Sequence, residues 1–209
     1  MRVVTMSWSY GSGGSVLAPM LAERLGVPFL EPVRTERNDD ETVSDLVNEG
    51  PSAREDLTRN LWERILDAFA AMPVEHGMVP TTVPADTSLR VKSQAEERIK
   101  AFASSDEGGV IPGYAASAVL PEAFHVLLDA PIERRVANAC SLEGIDEATA
   151  RTRLEKSGAV RRVYWKRLYN RDWLDHSLFH LVLDTTVIDR EAAVEIIAAA
   201  ATAYWDSNG

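Results

Sequence analysis

Cysteine is nearly absent from this chain: Cys140 stands alone among 209 residues. No disulfide can close within the chain and no cysteine cluster can hold zinc, which excludes a disulfide-built scaffold and a cysteine zinc module. The neighbours Val136, Ala137, Ala139 and Leu142 mark Cys140 as a packed thiol rather than a nucleophile. Lysine is also scarce: Lys92, Lys100, Lys156 and Lys166 are the only ones among 22 basic residues, and the rest are arginine. No apolar run approaches the ~20 residues that span a bilayer. The opening MRVVTMSWSYGSGG lacks the layout of a signal peptide, so a cytoplasmic location with no membrane partner is the expectation. His76, His125, His176 and His180 are scattered without metal-ligand spacing, and no G-x-S-x-G elbow occurs. These absences disfavour a metal centre and a serine hydrolase.

Acidic residues outnumber basic ones 32 to 22, for a formal charge of -10. A chain-wide surface for nucleic acid is therefore not expected. Hydrophobic residues at 45% and charged residues at 26% suit a soluble globular protein, here read as a single domain over 1–209. Arginine forks suit phosphate and carboxylate, so a phosphate-handling site could be built from them.

RVVTM at 2–6 reads as a strand, followed by Gly11, Gly13 and Gly14 within SYGSGGS. Val16, Leu17, Met20, Leu21 and Leu25 then recur at helical spacing, with Pro19 in the first turn and Gly26 as a stop signal. VPFLE at 27–31 predicts a second short strand. Residues 34–53 read as a polar loop with a short helix, 53–72 as a helix, and 73–87 as an irregular or mobile segment. A helix is expected over 88–103 with Leu89, Ile99 and Phe102 inward, then a strand from Gly109 to Pro112. FHVLLDA at 124–130 and FHLVLDT at 179–185 are continuous apolar runs of the kind found in buried parallel strands. Between them lie helices over 132–143 and 146–169, broken at Gly144 and started at Asp146; Asp189 caps a last helix through Ala203. The alternation implies an α/β fold with a parallel sheet of about five strands and helices on both faces. The alanine-rich final helix, with Tyr204 and Trp205, could serve as a homodimer contact.

A strand, a glycine loop and a helix in succession open a phosphate-binding α/β unit. Converging backbone N–H groups can surround an anion where no Cβ intervenes, and the following helix adds partial positive charge. A flexible strand-to-helix turn is the alternative reading. Ser12 and Ser15 could donate hydroxyls, or Ser15 could cap the helix. Asp129 ends a strand and could meet magnesium through water; a cap on the next turn is the preferred reading.

VVTMSWSYGSGGSVLAPMLAERLGVPFLE resembles the opening of the cytidylate kinase-like proteins, a branch of the nucleoside monophosphate kinases within the P-loop superfamily. VIPGYAASAVL, FHVLLDAPIERRVANACSLEGIDEATARTRLEK and VYWKRLYNRDWLDHSLFHLVLDTT resemble later stretches of that family, in the same order. Residues 32–85 are the part that the resemblance leaves out. It implies a three-layer α/β/α P-loop kinase fold with a helical lid over roughly 144–173, and an acceptor site between 32 and 103. It implies ATP with magnesium as donor, and a nucleotide or other small metabolite as acceptor. Gly11, Ser12, Gly13, Gly14, Ser15 and Val16 match the phosphate-binding loop. Arg134 and Arg135 match the approach to the lid, Arg161 its arginine, and Arg171 and Asp172 the residues before a shared Trp173.

The departures bear on activity. An ordinary P-loop ends in Gly-Lys-Ser/Thr, its lysine reaching the terminal phosphates. Gly14 stands at that lysine's position here, and Ser15 where this branch often carries arginine. Tyr114 replaces an arginine of the middle motif at the acceptor side, and the acidic lid residues are missing around Gly158 to Val160. Three readings follow: an ATP-dependent phosphotransferase in which lid arginines replace the loop cation; an inactive nucleotide- or anion-binding protein acting through a partner; and a small-molecule kinase with a changed acceptor.

Overall fold

The apolar run at the amino end folds as strand β1, Val3–Trp8, every residue of it buried. In this computed structural model residues 1–30, 85–113 and 115–208 are described. Helix α1, Gly14–Leu25, follows the glycine loop and stops at Gly26, whose φ of 64° ends it in the left-handed conformation. Helix α2 spans Ala85–Ala103, beginning three residues before the expected 88 and so claiming the end of the segment read as irregular. Strand β2, Gly109–Pro112, and the short helix α3, Ala116–Val119, come next. Strand β3, Phe124–Leu128, leads to helix α4, Ile132–Glu143. Helix α5, Glu147–Tyr169, starts where Asp146 accepts from the Thr149 N–H. A 3₁₀ turn at His176–Leu178 precedes strand β4, Leu181–Leu183, and helix α6, Arg190–Asn208, closes the chain. The expected loop over 34–53, the helix over 53–72 and most of the 73–87 segment lie outside the described residues.

The strands pair in parallel in the order β2-β1-β3-β4. About five strands were expected and four are present among the described residues. The 27–31 run contributes an isolated bridge between Phe29 and Val110 beside β2. Pro28 accepts from the Val110 N–H but has no N–H of its own to extend the ladder. The 179–185 run is also shorter than its apolar content suggested. Only Leu181–Leu183 pair, and Val182 is 39% exposed, with β4 at the edge of the sheet among the described residues.

Alternation along β1 builds the two sides. Val4, Met6 and Trp8 join Val126 and Leu128 against α1 and α6. Val3 and Ile111 face Ile99 and Ala103 of α2 and Ala116 of α3. The result is a layer of helices on each side of the sheet, the expected α/β/α arrangement. Ile197, Ala201 and Trp205 of α6 lie in the core, and the Tyr204 ring stands 4.7 Å from that of His180. The aromatics read as a dimer contact are thus engaged within the chain. No described helix is long and apolar enough to cross a membrane.

The buried face of β3 carries a titrating group. His125 Nδ1 is 2.8 Å from Thr5 Oγ1, and the His125 ring stacks 5.0 Å from that of His180. Burial, and then the charge of His180, lowers the His125 pKa from 6.5 to about 4. The unfolded chain therefore binds the extra proton first as pH falls below 6.5, and stability drops across the window down to 4. Linkage puts the loss at about 2 kcal/mol between pH 7 and pH 5. Urea unfolding of the wild type and of His125→Gln over that range should show a shallower pH slope in the variant; equal slopes would refute the assignment.

Candidate functional site

Parallel α/β sheets assemble sites at the carboxyl ends of their strands. The glycine loop leaves β1 at that end. Ser9 N–H donates to Leu128 O at 2.9 Å, which seats the loop on β3. Gly11 and Gly13 hold φ of 83° and 77°, conformations open chiefly to glycine. Gly13 caps α1 with no side chain of its own. Ser12 N–H donates to Ser9 O, and Val16 N–H to Gly13 O. By contrast, the N–H groups of Gly11, Gly13, Gly14 and Ser15 meet no acceptor among the described residues. These unclaimed donors at a helix N-terminus form a nest suited to an anion.

The outer side of the loop is braced. Tyr10 Oη donates to Glu143 at 2.6 Å, and Glu143 also pairs with Arg153 of α5. Burial, followed by the Glu143 carboxylate, raises the Tyr10 phenol above its ordinary range, so it stays a donor. Asn138 Nδ2 donates to Gly11 O at 2.7 Å, and Thr185 Oγ1 donates to Ser12 O. A Cβ on Gly11 would lie 2.3 Å from Arg135 O, so α4 presses directly against the loop.

Two guanidinium groups lie beside the loop. Arg135 Nε donates to Ala130 O at 2.7 Å and stands 3.7 Å from Asp129 Oδ1. Burial lowers the Arg135 pKa, opposed by the Asp129 charge. Arg161 of α5 donates to Trp8 O, and its guanidinium carbon lies 5.2 Å from the centre of the Trp173 ring. Burial, then the like charge of Arg135, pushes Arg161 down to about 10, so both remain cationic at neutral pH. Helix α5 runs unbroken from the Arg153–Glu143 pair, past the end of β1, to Tyr169, whose hydroxyl donates to Glu96 of α2 at 3.2 Å.

A model of the cytidylate kinase-like family matches residues 3–187. The chain belongs to the cytidylate kinase-like family. A cytidylate kinase of Methanopyrus kandleri is 26% identical over 205 residues, which are 95% of this chain and 92% of that protein. The crystal structure of an uncharacterized protein from Eubacterium ventriosum superposes with a TM-score of 0.61 at 19% identity, covering 96% of this chain and 98% of that one. That last likeness bears on the fold alone.

Within this cytidylate kinase-like framework the sequence-predicted residues divide. Gly11, Gly13, Gly14 and Ser15 supply the open amides, with Arg135 and Arg161 near them. Ser12 and Val16 differ from the other loop residues in having no open N–H. Ser12 is 1% exposed, its hydroxyl donates to Ser9 O at 2.7 Å, and the N–H groups of both residues are used inside the loop and helix. Arg134 is turned to the surface and pairs with Asp184 at 3.2 Å. Arg171 is exposed beyond the end of α5, and Asp172 accepts from the Leu174 N–H in a local turn. No contact among the described residues carries Arg134, Arg171 or Asp172 to the loop. Tyr114 lies outside the described residues. Asp129 does not cap the next turn as preferred: Pro131 stands at the start of α4, and buried Asp129 Oδ1 accepts no hydrogen bond. Cys140 is partly buried against Val136, Ala139 and Ala150, the packing role expected of it.

The lysine position has a structural explanation. A Cβ on Gly14 would lie 2.3 Å from Trp8 Cγ, so the Trp8 ring occupies the space that a side chain there would need. Thr185 and Asn138 went unnoticed in the sequence. The only available signal was their placement just after a strand end and on the helix that follows one.

Proposed function

We propose that the chain is an ATP-dependent phosphotransferase of nucleotide-kinase type, acting on a nucleotide or another small metabolite. The observation that carries this reading is the nest of open N–H groups at Gly11, Gly13, Gly14 and Ser15, flanked by the mutually repelling cations Arg135 and Arg161. An anion placed there relieves that repulsion and takes up the donors. The acceptor oxygen attacks the γ-phosphorus, the bond to the β–γ bridging oxygen breaks, and ADP leaves. Positioning and charge neutralisation dominate such a transfer. The open amides hold phosphate oxygens, while Arg161 and Arg135 face the charge that builds during transfer. Magnesium, when bound, would add charge neutralisation at the phosphates, and one or two carboxylates of the protein would suffice to hold it. Asp129 fits that role, since its Oδ1 is buried beside the loop without a hydrogen bond. The net charge of -10 supports small-molecule partners over nucleic acid.

A second reading is favoured by the Trp8 ring against Gly14: a protein that binds a nucleotide or anion without turnover and works through a partner. Titrating ATP with and without magnesium, then following ADP release across nucleoside monophosphates and small alcohols, separates the two. ADP release with at least one acceptor is the expected result. Tight ATP binding with no turnover would favour the binding protein, and no ATP binding would remove both nucleotide readings.

A further inference from the structure

The open amides of the loop depend on which way its peptide planes face. In a trans peptide the carbonyl of one residue and the N–H of the next point in opposite directions. No cis peptide occurs among the described residues. Whatever holds a loop carbonyl on the outer side therefore turns the following N–H to the inner side. Glycine permits either orientation at little cost, so a plane next to glycine needs an external hold to stay in one.

Three successive loop carbonyls accept from side chains of other elements. Arg135 Nη1 reaches Tyr10 O at the long distance of 3.5 Å. Asn138 Nδ2 donates to Gly11 O at 2.7 Å, and Thr185 Oγ1 donates to Ser12 O. Their effects differ because the paired N–H groups differ. Asn138 governs the Ser12 N–H, which Ser9 O already takes. Thr185 governs the Gly13 N–H, which is open. Thr185 is itself held in place, because Asp184 Oδ1 accepts from the Thr186 N–H at 2.9 Å and Asp184 Oδ2 accepts from Arg134 at 3.2 Å. That turn arrives from the end of β4, 173 positions away from Ser12.

We propose that Thr185 is a positioning residue of the anion site: its hydroxyl anchors the Ser12 carbonyl outward and so keeps the Gly13 N–H aimed into the nest. The proposal rests on the reading of the loop as a phosphate site and adds a residue that does not itself touch the ligand. In a loop without a lysine, the direction of each amide matters more, since no ammonium compensates for a turned one.

The test compares wild type, Thr185→Val and Thr185→Ser. Affinities for inorganic pyrophosphate and for ATP are measured by calorimetry, and the Gly13 amide is followed by ¹⁵N NMR in the ligand-free protein. The valine variant keeps the shape and loses the donor; the serine variant keeps the donor. Thr185→Val should bind pyrophosphate and ATP about tenfold more weakly, with a displaced Gly13 resonance. Thr185→Ser should match wild type in both. Wild-type affinity in Thr185→Val, or an unmoved Gly13 resonance, overturns the proposal. So does an equal loss in Thr185→Ser, which would assign the effect to packing. If wild type binds neither probe, the phosphate reading fails, while a Gly13 resonance displaced only in Thr185→Val still upholds the hold of Thr185 on that peptide.

Discussion

Gly14→Lys, which would restore the lysine of an ordinary phosphate loop, is expected to lower stability by about 3 kcal/mol and to leave turnover no higher than wild type. The new Cβ would stand 2.3 Å from Trp8 Cγ, 2.4 Å from Cδ2 and 2.7 Å from Trp8 Cβ. These atoms lie at the root of the indole, so rotating the tip of the ring does not clear them. Trp8 is 8% exposed and belongs to the same core cluster as Leu17, Leu21 and Leu128, so moving the ring disturbs packed neighbours. Replacing glycine in a helix recovers up to about 1 kcal/mol of propensity, too little to offset the overlap. The fault lies in the first carbon rather than the charge, so Gly14→Ala should also destabilise. Urea midpoints of the two variants, with turnover assayed on the best acceptor found, check this. A stable Gly14→Lys protein with raised kcat would show that Trp8 yields and that a missing cation alone limits the enzyme.

The same pair shows how far the sequence could be read. Gly14 was visible at the lysine position, but its cause lies in Trp8, and nothing local links a strand residue to the helix it packs beneath. The loop itself was legible because strand, glycines and helical spacing are local patterns, and the αL angles at Gly11 and Gly13 follow from residue type. The amides that remain open were not legible, since the internal bonds from Ser12 and Val16 appear only once the turn is closed. Thr185 and Asn138 act across 173 and 127 positions, distances at which periodicity carries no information. The 179–185 run illustrates the opposite error: its apolar content was read as burial on both faces, whereas its place at the sheet edge is decided by strand order.

Arg161→Ala is expected to lower kcat by roughly 10²–10³-fold, the usual consequence of removing one donor from a developing oxyanion. The effect is not expected to be purely catalytic. The guanidinium donates to Trp8 O at the base of the loop and lies 5.2 Å from the centre of the Trp173 ring, so it also ties α5 to the end of β1. Losing a charged hydrogen bond and a cation–π contact should cost about 2 kcal/mol. The two roles separate in Arg161→Lys, which keeps a cation and one donor for the Trp8 carbonyl but loses the planar fork. That variant should recover most of the stability and only part of the turnover. At about 10 the Arg161 pKa leaves the group charged through the physiological range, so its loss should lower kcat equally across pH 6–8. A contact made only in the transition state reduces kcat and kcat/KM alike, whereas a loop merely loosened by the lost tie would raise KM with kcat preserved. Wild-type kcat in Arg161→Ala, or a fall confined to KM, would reduce Arg161 to a structural clasp and leave Arg135 as the cation that faces the phosphates.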